Sequence, residues 1–158
     1  MKTLLFFLIA VFTISATMAQ TKVYKGKSTY SGDVICNLND SKIYKKNSSY
    51  SGDITCNISG SKIYKESSSY SGDILYNIED GKVYKGSSSY SGDIVMTIKD
   101  SKVYKGKSSY SGDVLATIRD GKVYTGNSTY SGDIAFTIDG LATIEEFVAI
   151  WYTVKYVY

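Results

Sequence analysis

From Lys22 onward, short alternating runs of apolar and polar residues are separated by clusters of Ser, Gly and Asp. The pattern returns every twenty residues, as in Lys82–Ser101, KVYKGSSSYSGDIVMTIKDS. Six such units, the last one residue short, fill Lys22–Gly140 without an insertion. A fixed period of this kind marks one supersecondary element per unit, able to bury its apolar face only against its neighbours. Two β-rich runs in each unit, such as Lys82–Lys85 and Ile94–Ile98, predict two strands, and the residues between them are turn formers.

Two kinds of link alternate. Units are joined by two-residue turns, Asp80-Gly81 and Asp120-Gly121, with Asp40-Ser41, Gly60-Ser61 and Asp100-Ser101 as variants. Asp-Gly between strands is a hairpin signal, because both central residues of a type I′ turn need positive φ. Within a unit the link is longer, as in Gly86–Asp93, with side chains that bond their own backbone. If Asp80-Gly81 form the turn, Ile78 faces Val83. Strand alternation then places Ile74, Tyr76, Ile78 and Val83 on one apolar face, with Asn77 and Tyr84 on a solvated one. The middle position of the core face varies in bulk: Cys36, Cys56, Tyr76, Met96, Ala116, Phe136. Two explanations stand: drift at a tolerant core position, or contact with something that lacks sixfold symmetry.

An open array of such units would leave end strands unpaired and would need atypical caps. The first unit is as regular as the others, so closure is expected, with Lys22–Lys25 pairing with Ile134–Ile138. Twelve strands about 4.8 Å apart and tilted by roughly 36–45° enclose a ring about 22–25 Å across. Inward side chains leave a hole the width of a helix, roughly 10–12 Å. The tail Leu141–Tyr158, LATIEEFVAIWYTVKYVY, is the one non-repeating stretch after Lys22. Thr143 with Glu146 forms a capping box, and Glu145 and Glu146 suit a helix N-terminus. Ile144, Phe147, Val148, Ile150, Trp151, Val154 and Val157 cover most of the helical circumference, as in a buried helix. The β-branched and aromatic content would also suit a strand; length and capping favour a helix. The fold expected is mainly β: six hairpins over residues 20–140 in a shallow twelve-stranded antiparallel barrel, plugged by helix 141–158. The helix enters from the tight-turn end, where Lys22, Lys42, Lys62, Lys82, Lys102 and Lys122 would complement Glu145 and Glu146.

The first nineteen residues change the picture of compartment. Lys2, the apolar run Leu4–Phe12 and the small-residue site Thr17-Met18-Ala19 read as a secretory signal. The run is too short to span a bilayer, which takes about 20 residues. Gln20 stands where a lipid-anchored chain would carry Cys. An exported monomer, periplasmic or extracellular and not lipid-anchored, is expected. Removing Lys2 takes the formal charge from +3 to +2, which gives no nucleic-acid footprint.

The candidate chemistry is sparse. His is absent, and with it the usual general base and commonest metal ligand. The ring Asp33, Asp53, Asp73, Asp93, Asp113 and Asp133 offers oxygen ligands for Ca²⁺, but turn closure is the expected role, since equivalents lie about 9.6 Å apart, two strand spacings. The same spacing argues against a Cys36–Cys56 disulfide. Ser59–Lys62 matches S-x-x-K but lacks the companion motifs of an acyl-enzyme. Asn47, Asn57 and Asn127 head glycosylation sequons. Neither a catalytic residue, a cofactor site nor a metal site is assigned. Tyr30, Tyr50, Tyr70, Tyr90, Tyr110 and Tyr130 repeat once per unit and, with Trp151, Tyr156 and Tyr158, are the candidate contacts for a membrane interface or a glycan.

The repeat K-[VI]-Y-K-x-x-S-[ST]-Y-S-G-D-[VI] over residues 22–140 resembles that of bacterial β-flower proteins, rings of β-hairpins around an apolar channel. Twelve strands around a C-terminal helix also resemble the Tubby-like and phospholipid-scramblase architecture, in topology alone. The first resemblance implies a fold and an association with membrane or lipid. The expected function is a non-enzymatic structural or binding module at an envelope, lipid or other apolar ligand. A carbohydrate-binding adhesin using the Tyr ring is the alternative, and an enzyme ranks last.

Overall fold

The structure, a computed structural model, describes residues 20–158. The signal-sequence reading falls on residues 1–19 and lies outside the described residues.

Each unit forms a long strand and a short one. The short strands are β1 (Thr21–Lys25), β3 (Lys42–Lys45), β5 (Lys62–Lys65), β7 (Lys82–Lys85), β9 (Lys102–Lys105) and β11 (Lys122–Thr125). The long strands are β2 (Val34–Asn39), β4 (Ile54–Ser59), β6 (Ile74–Glu79), β8 (Ile94–Lys99), β10 (Val114–Arg119) and β12 (Ile134–Asp139). Consecutive strands pair antiparallel and β1 pairs with β12, so the twelve close into a barrel. At the closure Val23 faces Ile138 and Lys25 faces Phe136, the register in which Val83 faces Ile78 and Lys85 faces Tyr76 within an unbroken hairpin. Closure leaves no strand edge exposed. Asp80-Gly81 is the expected hairpin turn, both residues at positive φ (49° and 74°).

Alternation alone misplaces two neighbouring positions in every unit. Each short strand meets the following long one through a β-bulge: Val23 faces Cys36, but Tyr24 faces Val34, and the same slip recurs in all six units. An extra residue on one strand reverses the side to which the residues beyond it point. Val34 and Ile54 are therefore buried outside the central cluster, whereas Ile35, Leu75 and Ala135 pack onto it. The expectation that Ile74 shares the face of Tyr76 is corrected, and with it the same placement of Val34, Ile54, Ile94, Val114 and Ile134 that alternation implies in the other units. The inward residue at the long-loop end is the next one, and it varies too: Ile35, Thr55, Leu75, Val95, Leu115, Ala135.

The outer face is not simply wet. Tyr24, Tyr84 and Tyr124 are buried there, as are Asn37 and Thr117. The long links fold back over this face and are tied down by the side chain that faces out mid-strand. Asn37 Nδ2 donates to the carbonyls of Lys46 and Ser48, both at 2.8 Å. Thr97 and Thr117 donate to Gly106 and Gly126 at 2.8 and 2.9 Å, and Thr137 makes the same bond to Gly26 across the closure at 2.7 Å.

The tail leaves β12 through Gly140 (φ 130°), where a Cβ would lie 2.6 Å from Thr21 Oγ1; only glycine fits this approach. Helix α1 spans Ile144–Tyr152 and continues as a wider π-helical turn over Thr153–Val157. The capping box is present: Glu146 N donates to Thr143 Oγ1 at 3.2 Å and Thr143 N to Glu146 Oε2 at 2.8 Å. Phe147 through Trp151 are all buried, the signature of a helix enclosed on every side. The ion pairs among the described residues are Lys65–Glu66 and Arg119–Asp120. Glu145 and Glu146 therefore do not pair with the lysines of the tight-turn end; Glu146 is spent on the cap.

The helix does not sit on the barrel axis. Its ring contacts concentrate on β2, β4 and β5, where the facing residues are the small Cys36 and Cys56. Cys56 Sγ lies 3.7 Å from the Ala149 carbonyl and from Thr153 Oγ1. Thr55 Oγ1 bonds Thr153 Oγ1 at 2.9 Å. To either side of this wall, bulk returns: Tyr76 on β6 meets Tyr152 edge-on at 6.0 Å, and Phe136 on β12 meets Trp151 at 6.4 Å. Cys56, Tyr76 and Phe136 of the variable middle tier each meet the helix, which lacks the ring's sixfold symmetry, as the contact explanation requires.

Candidate binding face

Among the described residues, the long-loop end gathers most of the sequence-derived candidates. Each loop there is one polar device repeated six times. The Ser88 hydroxyl donates to Asp93 Oδ2 at 2.6 Å and accepts from Tyr90 N at 3.0 Å, while Asp93 N donates to the Tyr90 carbonyl at 2.9 Å. The other five units repeat this arrangement. The Asp carboxylates thus close turns, as expected, though on a serine hydroxyl and not directly on backbone. The Tyr backbone is pinned through both its N–H and its C=O, which holds the ring out of the barrel.

Tyr30, Tyr50, Tyr70, Tyr90, Tyr110 and Tyr130 are 71–81% exposed. The rings take two settings. Those of Tyr30, Tyr50 and Tyr90 lie over the glycine of their own Ser-Gly-Asp turn, within 2.6–2.8 Å of where its Cβ would be. Nothing lies within 4 Å of that point at Gly72, Gly112 and Gly132, so Tyr70, Tyr110 and Tyr130 stand clear of it.

Inside this rim the helix ends. Tyr156 and Tyr158 are exposed at 67% and 56%. Burial raises the Tyr158 phenol above the ordinary tyrosine value; Cys36 adds to this, and a bond to the Lys46 backbone opposes it. Tyr76 is pushed up to about 12 by burial first and by Tyr156 and Tyr152 second. Trp151 stands apart from the rim. It is buried between Phe136 and Phe147, and Lys155 Nζ sits 5.1 Å over its ring.

Linear reading missed a ring of cations. Lys25, Lys45, Lys65, Lys85 and Lys105 end the short strands, each opposite a residue of the inward middle tier. All five are exposed, and Thr125 takes the sixth place. No basic run marks them, because the repeat spaces them twenty residues apart. The fourth position of each K-[VI]-Y-K, taken with strand parity, was the available signal.

Cys36 and Cys56 are free and buried. Burial pushes the Cys56 thiol up to about 11, with bonds from Thr153 and Thr55 opposing; Cys36 is raised further by burial and by Cys56. They serve as small apolar wall residues. Of the sequons, Asn57 donates Nδ2 to the Ser68 carbonyl at 3.2 Å and Asn47 to the Ser31 carbonyl at 3.0 Å, so both tie loops down.

Comparison with protein-family models matches residues 10–94 and 56–156 to the family described as 6-fold beta flower protein. The two matches overlap over 56–94, as a sixfold repeat allows. No curated protein and no solved structure matches the chain. The β-flower resemblance is supported; the Tubby-like and scramblase one is not.

Proposed function

The chain belongs to the 6-fold beta flower family, and on that premise we propose that it is an exported, monomeric, non-enzymatic binding module whose long-loop face docks on a lipid or envelope surface. The observation that carries the reading is the circle of six tyrosines, each at least 71% exposed, around Tyr156 and Tyr158. Tyr has an apolar body and a polar tip, and it concentrates where one end of a side chain is dry and the other wet. Lysines around the same mouth add attraction to anionic headgroups, about 1 kcal/mol each near such a surface. Catalysis is disfavoured because an active site needs one asymmetric constellation of nucleophile, base and orienting group. Here nearly every polar group of the face recurs six times, and the chain has no His.

Co-sedimentation with vesicles of neutral and of mixed neutral–anionic lipid tests the reading. Binding should increase with anionic content and fall when the six loop tyrosines are changed to Ser. Absence of binding at every composition, or binding indifferent to those changes, overturns it. A glycan-binding face is the second reading, favoured by the three rings that stand clear of their glycines and so offer a face for stacking on a sugar. Glycan-array signal lost in Tyr70→Ala and Tyr110→Ala, whose rings stand clear, would select it.

A further inference from the structure

Sixfold symmetry and a single off-axis helix cannot both be satisfied at the long-loop mouth. The helix leans on β2, β4 and β5, and the wall opposite is left partly uncovered. The inward bulge residues record this. Ile35, Leu75 and Ala135 pack against the core and Thr55 bonds Thr153, but Val95 and Leu115 remain 36% and 39% exposed. Between that wall and the helix lies a cleft of about 370 Å³, lined by Tyr76, Val95, Met96, Leu115, Trp151 and Tyr156, with Lys155 at its edge. Its size falls in the range of small-molecule sites, about 300–1,000 Å³. Inward-facing aliphatic side chains left open on one wall alone are what a removable apolar occupant would cover.

Charge defines the other half of that occupant. Lys155 stands over Trp151. Lys85 is the cross-strand partner of Tyr76 and Lys105 that of Met96, so both stand at the lip of the same wall. The loop carboxylates of these units, Asp93 and Asp113, are engaged by Ser88 and Ser108. An apolar slot with one lysine in its lining and two more at its lip suits a molecule with an apolar body and one anionic head.

We propose that this cleft binds a single-chain anionic amphiphile, its chain lying against Val95, Met96, Leu115 and Trp151 and its head held by Lys155, Lys85 and Lys105. This is an intramolecular site for a monomeric ligand. It is distinct from docking of the tyrosine rim on a surface, and either can hold without the other.

Trp151 is the sole tryptophan, so its emission reports on the cleft directly. Purified protein is titrated with decanoate below its micellar concentration, in parallel with decyltrimethylammonium, which has the same chain and the opposite charge. Decanoate should give a saturable change in Trp151 emission and decyltrimethylammonium at least tenfold weaker binding. Leu115→Asn, at a position exposed enough to leave the fold intact by circular dichroism, should weaken decanoate at least fivefold. Lys155→Gln, followed by calorimetry because it also alters the tryptophan's surroundings, should weaken it at least threefold. Replacing the six loop tyrosines should leave decanoate binding unchanged, which separates this site from the rim. No saturable response to decanoate, equal affinity for the two head groups, or an unaltered Leu115→Asn titration each overturns the proposal.

Discussion

Exchange of two side chains between adjacent units, Ala116→Phe with Phe136→Ala, keeps composition and total core volume constant. By the sixfold symmetry of the barrel the two positions are equivalent; only the helix distinguishes them. Phe136 is fully buried with Trp151 6.4 Å away, and Ala116 is 1% exposed. Trp151 shares its cleft with Met96 and Leu115, which places the indole towards the unit that carries Ala116. Truncating Phe136 removes a buried aromatic, a loss of about 3–5 kcal/mol, of which about 0.5–1.5 belongs to the aromatic pairing with Trp151. A Phe at 116 overpacks a site already filled and costs about 1–3 kcal/mol. The exchanged protein should therefore be at least about 3 kcal/mol less stable than the parent, a large part of the about 5–15 kcal/mol typical of a domain. Urea unfolding followed by Trp151 emission and by far-ultraviolet circular dichroism, with both single variants, measures it. If the exchange costs less than about 1 kcal/mol, the middle tier is tolerant drift and contact with the helix does not set its bulk.

Lys46 and Glu66 occupy positive φ (52° and 53°) where four other units place glycine. Because a side chain there costs about 1–2 kcal/mol, part of it offset by glycine's greater unfolded-state entropy, Lys46→Gly and Glu66→Gly should each raise the urea midpoint by the equivalent of about 0.5–1 kcal/mol. Ending the chain after Gly140 removes the buried stretch Phe147–Trp151 and should abolish cooperative unfolding; a truncated protein with the parent's melting temperature would refute the plug. Both thiols should resist alkylation until denaturant is added, since both are free and buried. The Cys56 thiol, raised from 9.0 to about 11, is neutral in the folded chain and ionises first in the unfolded one. Its contribution is full below about pH 9 and is lost as pH rises through 11, a fall of about 2–3 kcal/mol. The slope should flatten in the Cys36→Ala/Cys56→Ala protein, which retains the tyrosines; an unchanged slope would assign it to other groups.

Much of this architecture follows from the chain read in one dimension, because its determinants are local. The two-residue period of Ile74, Tyr76 and Ile78 and the Asp80-Gly81 turn specify each hairpin. The unbroken repeat specifies closure, and Thr143 with Glu146 specifies where the helix begins. The loop tyrosines were legible as a once-per-unit feature, and their exposure follows from bonds made within five residues. Other features needed distant residues to meet. The bulge that turns Thr55 and Leu115 inward depends on pairing between strands, and strict alternation assigned those positions to the wrong face. Tyr24 and Tyr84 lost solvent to loops that cross the outer wall, a packing event with no periodic signature. The cation ring around the mouth exists only once the barrel closes, because its members lie twenty residues apart. Last, one helix without sixfold symmetry inside a sixfold ring must choose a side. That choice put Cys56 against Ala149, left Val95 and Leu115 uncovered, and made a cleft that no single repeat encodes.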